Sequence, residues 1–349
     1  MSGTETTRRF PRTAIIANPA AGSTNPAYVA QIEEACAAHC DSVEVFWTRR
    51  RAHAAAFARR FAMARAAAPA PALASASAST SASTSATARE TPGGRRSAFD
   101  AVVAVGGDGT VREVVAGLAR GPSDGEGPAL IVLPGGTANS NFRSLWDDLP
   151  WRTALNSALT LVGAEERRLD LGVFTRLGRV VVLGTSTGLF AEATAAARSL
   201  PVAGRDRYQV ALRAVSASYD PYPGRVTVDG NVLHEGKTVL VNIGGSRYRA
   251  GVFDVLPRSI RDDGLLDVCV IGAGVDAADA LSLMRTGEHL AVDDVFYAQG
   301  RSVTVERTDG LPLKFEHDGE AVPGDATSFT LDVVPAAVRF VVSTRRREG

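Results

Sequence analysis

Cysteine is almost missing from this chain. Cys36, Cys40 and Cys269 are the only three in 349 residues, too few and too scattered for a disulfide framework, so a packed core has to hold the fold. Cys36 and Cys40 stand at helical spacing and read as a packing pair rather than a metal pair, and this usage fits a reducing cytoplasm. Net charge is missing as well. Lys plus Arg and Asp plus Glu both number 38, which removes the overall basic field that draws a chain to nucleic acid or to an anionic membrane. No apolar run approaches the length of a transmembrane span, and residues 1–12 have no apolar core for a signal peptide. A lipid would therefore be met at the membrane surface, by transient peripheral contact. Large apolar residues are also lacking from 66–97, an Ala/Ser/Thr/Pro tract with Leu73 as its one exception. Such a tract cannot bury enough surface to offset its ordering entropy and is expected as a disordered insertion. Residues 1–12 and 344–349 are expected as flexible tails.

What is present begins with length, for which two domains are the natural division, and with glycine at the ends of apolar runs. Val102-Val103-Ala104-Val105 followed by Gly106-Gly107-Asp108-Gly109-Thr110 reads as a buried strand, a tight turn and the start of a helix. Val111, Val114, Val115 and Leu118 share the inner face of that helix, and Thr110 with Glu113 predicts a capping box at its start. Strand, glycine turn and helix N-terminus together form an anion site, because backbone N–H groups converge on the turn while glycine lets phosphate approach. Asp108 is out of place there unless it acts through a metal ion or a proton; the alternative is a plain turn aspartate.

Two more strand ends repeat the pattern. Thr13–Ala17 stops at Asn18-Pro19-Ala20-Ala21-Gly22-Ser23, after which Asn25 as N-cap and Pro26 open a helix. Residues 129–134 stop at Gly135-Gly136-Thr137-Ala138-Asn139-Ser140. Between them, Ser42–Trp47 alternates and ends at Thr48, and a helix with Phe57 and Phe61 one turn apart follows. The alternation of strand and helix is that of a parallel α/β sheet, whose ligands sit at the carboxyl ends of the strands, so three such loops favour a nucleotide cleft.

From about Trp151 the pattern changes. After a helix with Ala154, Leu155 and Ala158 inward come short β-branched runs at 180–183, 226–228, 239–243, 266–271, 303–305, 331–334 and 338–342, with helices at 191–198 and 277–284 among them. That is the pattern of an antiparallel sandwich. The domain boundary is expected between Arg143 and Trp151, giving domains over 13–147 and 148–343. Asp262-Asp263-Gly264-Leu265-Leu266-Asp267 offers the hard oxygen donors that magnesium prefers, or simply closes a hairpin. His317-Asp318-Gly319-Glu320 is an ordinary turn by itself, yet beside a phosphate cleft it offers a carboxylate that can deprotonate an alcohol. The scattered Arg247, Arg249, Arg258 and Arg261 read as solvated surface or as contacts to anionic headgroups.

Taken together, these residues resemble the soluble bacterial diacylglycerol-kinase-like lipid kinases, which share their catalytic domain with eukaryotic diacylglycerol, sphingosine and ceramide kinases. The matching elements keep family order over nearly the whole chain: Asn18-Pro19 with Gly22, Thr48, Gly106–Thr110, Gly136-Thr137-Ala138-Asn139, Asp170-Leu171-Gly172, Asp263-Gly264-Leu265-Leu266-Asp267 and Asp318-Gly319-Glu320. The resemblance implies an N-terminal NAD-kinase-like, Rossmann-like α/β domain that binds ATP and a C-terminal β-sandwich, with a lipid such as diacylglycerol entering between them. It implies nucleotide contacts from Asn18, Pro19, Ala20, Ala21, Gly22, Thr48, Gly107, Asp108, Gly109, Thr110, Val111, Arg112, Glu113 and Thr137. It further implies that Asp108 works through catalytic magnesium, that Glu320 is the general base, and that a structural magnesium is held by Asp263 with the carbonyls of Leu265 and Ile260. Ser140 departs from the family, many members of which have aspartate there. An NAD kinase and a nucleotide-binding regulator with weakened catalysis are the competing readings, and a homodimer through a sandwich edge strand stays open.

Overall fold

The computed structural model describes residues 8–66, 99–119, 127–201, 206–250 and 252–344. The expected insertion lies outside the described residues apart from Ala66, as do residues 1–7 and 345–349 of the expected tails.

In chain order the first part runs β1 (Arg12–Ala17), α1 (Pro26–Ala37), β2 (Ser42–Trp47), α2 (His53–Ala66), β3 (Ala101–Gly106), α3 (Asp108–Leu118), β4 (Ala129–Pro134), α4 (Ser140–Trp146) and α5 (Trp151–Thr160). There follow β5 (Ala164–Phe174), β6 (Val180–Val181), β7 (Thr185–Gly188), α6 (Leu189–Ala197), α7 (Asp206–Ser216), β8 (Tyr222–Val228), β9 (Asn231–Gly244), β10 (Tyr248–Arg249) and β11 (Phe253–Asp254). The chain closes with β12 (Leu266–Gly272), α8 (Ala277–Leu283), β13 (Val295–Gly300), β14 (Ser302–Arg307), β15 (Phe315–His317), β16 (Glu320–Val322) and β17 (Ser328–Ser343).

Strands β2, β1, β3 and β4 lie side by side in parallel, with Ile15 opposite both Val45 and Val103, and Val103 opposite Ile131. All of β3 is buried, as a strand covered on both faces must be, which is why its sequence shows no alternation. Helix α1 starts as its sequence dictates: Asn25 is extended, its side chain accepts from the Tyr28 amide, and Pro26 follows. Most of the later strands pair antiparallel, and β8 alternates buried and half-buried residues along its length, the mark of one face on a core. The parallel α/β half and the antiparallel sandwich-like half are thus both present.

Three expectations need correction. The two runs 331–334 and 338–342 are one strand, β17, bulged between Val334 and Val338 where it pairs with β5. Asp170 pins that bulge by accepting the Ala336 amide at 2.7 Å and, on its other oxygen, the Gly264 amide at 2.7 Å. Beyond the bulge β17 reaches β4 in parallel, with Phe340 opposite Leu130. Val338, Phe340, Val341, Leu169, Leu171 and the inner face of α5 therefore pack in the same core as β1, β3 and β4, so a boundary between Arg143 and Trp151 does not separate the cores. The chain leaves the parallel sheet and returns to it, which a change of local pattern cannot register. Residues 8–12, finally, are docked rather than free: Phe10 is buried, and Arg8 donates to the Cys40 carbonyl and to Asp41.

Candidate active site

The three glycine loops meet at the carboxyl ends of β1, β3 and β4. The Gly135 amide donates to the Gly106 carbonyl and the Ser23 amide to the Gly135 carbonyl, both at 2.9 Å. A Cβ on Gly136 would stand 2.4 Å from the Gly107 Cα, so the second and third loops touch backbone to backbone and leave room for nothing larger than glycine. Asn18 joins the first loop to the second, donating from Nδ2 to Thr110 Oγ1 at 2.9 Å.

Helix α3 begins earlier than a capping box requires. Its N-cap is Gly107, without a side-chain hydrogen bond, and Asp108 is the first helical residue. Thr110 is therefore already inside the helix, its side chain filling the space over Gly106, while Glu113 Oε1 accepts from the Ala52 amide at 2.9 Å. The capping-box expectation fails because that helix start is held by contacts between loops rather than by its own residues. Asp108 has a comparable long-range task. Its Oδ2 accepts from the Ser140 amide at 3.0 Å, and its Oδ1 from the Asn141 amide at 2.8 Å and from Asn141 Nδ2 at 3.0 Å. Asn139, the N-cap of α4, is left-handed at φ 52° and gives that helix no side-chain cap; Asp108 does so from another loop, as a carboxylate at a helix N-terminus should.

Glu320 lies on β16 opposite His317. The two-residue turn between them has φ 48° at Asp318 and 80° at Gly319, the left-handed pair that Asp-Gly favours in a tight hairpin. This turn is fastened on both sides. Asp318, buried, accepts the Leu183 amide at 2.7 Å and the Val182 amide at 3.1 Å. Burial pushes its carboxyl up, but His317 and these amides outweigh burial and hold it below the ordinary carboxylate range. The Gly319 amide donates to Glu316 Oε2 at 2.9 Å, and Glu316 Oε1 accepts from the buried Arg249 at 3.1 Å. Arg249 also donates to Asn242 Oδ1 at 2.9 Å, so its reading as solvated surface is corrected. Arg247 is likewise engaged, with Asp254 at 2.6 and 2.8 Å.

A cavity of about 640 Å³ opens between these parts. Asp108, Gly109, Arg112 and Thr137 line one side, Glu320 and Gly319 another, and Leu183, Phe190, Ala197 and Val252 supply apolar wall. Of the residues expected to hold nucleotide, Asn18–Gly22, Thr48, Gly107, Thr110, Val111 and Glu113 do not line it. Pro19, Ala20 and Gly22 are exposed on the first loop, whereas Thr48, Thr110 and Val111 are buried. Ser140 lines the cavity. Arg249, one of the two readings of which was a headgroup contact, lines the cavity, whereas Glu316, Phe190 and Val252 were not legible as site residues; of these three only Glu316, next to the hairpin, carried any signal.

Asp108 suits a magnesium ion within limits, since three of the four lone-pair positions of its carboxylate are taken and one remains. Ile260, Asp263 and Leu265 lie apart, on the turn before β12. There Asp263 Oδ1 accepts the Leu265 amide at 3.0 Å and its Oδ2 accepts from Gln299 at 3.3 Å. The neighbouring Asp267 is fully buried, and its Oδ2 has no hydrogen-bond partner. Burial first, and the charge of Asp263 with it, push its carboxyl up in spite of the Tyr297, Ser259 and Gln299 side chains. An orphaned carboxylate oxygen beside a second carboxylate and turn carbonyls fits a hard cation. Among the described residues no three His, Cys, Asp or Glu side chains converge, so backbone oxygens would complete such a set.

Comparison with known proteins agrees with this architecture. Residues 71–174 match the diacylglycerol kinase catalytic domain, and residues 184–342 match the YegS C-terminal NAD kinase beta sandwich-like domain. A Pseudomonas fluorescens protein described as "Probable lipid kinase YegS-like" is 31% identical over 242 residues, 68% of this chain and 76% of that one. A diacylglycerol kinase of Bacillus subtilis is 26% identical over 232 residues, 65% of this chain and 74% of that one. The crystal structure of a diacylglycerol kinase from Bacillus anthracis superposes with a TM-score of 0.65 at 18% identity, covering 96% of this chain and 98% of that one, a likeness of fold. Two domain matches in family order, together with relatives of this identity and coverage, mean that the chain belongs to the YegS-like, diacylglycerol-kinase-like lipid kinases.

Proposed function

We propose that the protein transfers the γ-phosphoryl group of ATP to a hydroxyl of a lipid such as diacylglycerol. The observation that carries this reading is that Asp108 and Glu320, from opposite halves of the chain, line one cavity whose remaining wall is partly apolar. In this reading the nucleotide lies on the 13–147 half, against Asn18–Gly22, Thr48, residues 107–113 and Thr137, and the lipid lies towards the 148–343 half. Glu320 accepts the proton of the lipid hydroxyl as its oxygen forms the bond to the γ-phosphorus. The bond from that phosphorus to the β,γ-bridging oxygen breaks, and its electron pair leaves with ADP. Backbone amides of the first and third loops steady the phosphoryl oxygens. Magnesium would neutralise charge on the transferring group, with Asp108 as its protein anchor, and a second ion would be held by Asp263, Leu265 and Ile260 at the turn before β12. An apolar wall separates lipid alcohols from water-soluble ones but discriminates poorly among acyl chains.

No helix among the described residues is long and apolar enough to cross a membrane, which is consistent with a lipid met at the membrane surface. The deciding experiment incubates the protein with ATP labelled in the γ position, magnesium and a mixed lipid extract. Labelled lipid supports the reading. Labelled NADP in a parallel reaction with NAD supports an NAD kinase instead, and absence of any product supports a regulator without catalysis.

A further inference from the structure

Glu320, the base in the reading above, is held by a neighbour. Its Oε2 is 2.7 Å from Arg112 Nη2, while its Oε1 is 3.8 Å from the exposed Arg51. Arg112 lies one turn beyond Asp108 on α3, lines the cavity and is largely buried. Its pairing is incomplete, because Nη1 is buried and has no hydrogen-bond partner. A guanidinium is a fork that prefers two parallel acceptors. Here it has one, and a buried donor left unmade costs free energy that a better acceptor recovers. A phosphoryl group entering at the first turn of α3 is such an acceptor, with more charge than a carboxylate and three oxygens to offer.

We propose that Arg112 is a transferable clamp: it holds Glu320 before ATP binds and passes to the terminal phosphoryl group of bound ATP, so that the base is released only when the phosphoryl donor is in place. This rests on the lipid-kinase reading for the identity of the base and of the donor. The groups facing Glu320 are Arg112 from α3, Arg51 from the segment entering α2, His317 across the hairpin and Arg198 from α6, which donates to the neighbouring Ala321 carbonyl at 3.2 Å. Partial burial pushes the Glu320 carboxyl up, but Arg112 above all, then Arg51 and His317, hold it below the ordinary range. Loss of Arg112 to the nucleotide therefore raises its basicity when basicity is needed.

The test is a double-mutant cycle read by calorimetry with magnesium and either ATP or ADP, in the absence of lipid. Arg112→Gln weakens ATP binding about tenfold, the worth of one charge-assisted hydrogen bond, and leaves ADP unchanged. Glu320→Gln tightens ATP binding, because Arg112 no longer has to leave a partner, and has no effect when added to Arg112→Gln. A Glu320→Gln effect that persists in the Arg112→Gln background is a field effect of the carboxylate and overturns the clamp, as does an ATP affinity indifferent to Arg112. The acid limbs of the kinetic profiles give a second reading. Arg112→Gln moves the limb of kcat/KM for ATP to higher pH and leaves that of kcat in place; an equal rise in both means that Arg112 stays on Glu320 and overturns the proposal. Should Arg112→Gln not fold, Glu320→Gln at its half-exposed position still reports: unchanged ATP affinity there overturns the clamp. Wild-type protein that binds ATP but labels no lipid removes the acceptor reading and leaves the cycle legible, whereas wild-type protein that binds no ATP overturns both.

Discussion

Asp108→Asn separates a structural task from a chemical one. An asparagine keeps one oxygen for the two Asn141 donors but turns an NH₂ towards the Ser140 amide, which now donates to the Asp108 carboxylate at 3.0 Å. One charge-assisted hydrogen bond is lost and a donor faces a donor, for a cost of about 1.5–3 kcal/mol. Spread over the unfolding entropy of a chain of this length, that is a Tm lower by about 2–4 °C. The measurement is thermal and urea unfolding in metal-free buffer, with hydrogen exchange at the Ser140 and Asn141 amides, which are expected to lose protection. Ser140→Ala is the control: the tie uses its backbone N–H, so stability should stay within about 0.5 kcal/mol of wild type. Turnover of Asp108→Asn is expected to fall by orders of magnitude, but only the part that survives correction for the unfolded fraction belongs to chemistry. Unchanged Tm and unchanged amide protection would refute the tie between the second and third loops.

Gly117→Ala places a Cβ 2.4 Å from the Ala55 carbonyl oxygen and 3.0 Å from the Arg59 amide, backbone that cannot step aside, so α2 and α3 must part at a cost of about 1–3 kcal/mol by urea unfolding. Glu316→Gln leaves the buried Arg249 without its carboxylate at 3.1 Å, a loss of about 3–5 kcal/mol; a double variant with Arg249→Met should recover most of it. Burial pushes the thiols of Cys36 and Cys269 up to about 12, so iodoacetamide should leave both unmodified in the native protein at neutral pH and modify them once urea unfolds it. Acid should destabilise the fold through Glu166 and Asp318. Burial pushes the Glu166 carboxyl up, but Arg339 and Arg9 outweigh it and set the folded value below the unfolded one, as His317 and the Leu183 and Val182 amides do for Asp318. Such groups contribute stability above their unfolded values, near pH 4, and lose it as pH falls through the lower folded values. Glu166→Gln should flatten the pH dependence of urea midpoints in that acid window and leave it unaltered near neutrality.

Local chemistry made much of this legible. The helix start at Asn25-Pro26, the hairpin at Asp318-Gly319 and the buried run ahead of Gly106 are written in residues that touch within four positions of one another. Backbone sterics and short-range hydrogen bonds settle such features before any distant segment arrives. The capping box at Thr110 was misleading for the same reason, because its residue types are right and a neighbouring loop had the stronger claim on them.

The sequence by itself determined the succession of parallel and antiparallel elements, the three glycine loops and the two carboxylates, since periodicity and turn chemistry are properties of neighbours along the chain. Tertiary structure alone decided that Asp108 caps a helix 32 residues away, that Arg249 buries its charge against Glu316 67 residues on, and that β17 serves the cores of both halves. Each of these pairs a group with a partner that its own segment does not contain. Desolvation makes such partners obligatory once the groups are buried, yet which distant segment supplies them is settled only when the sheets close.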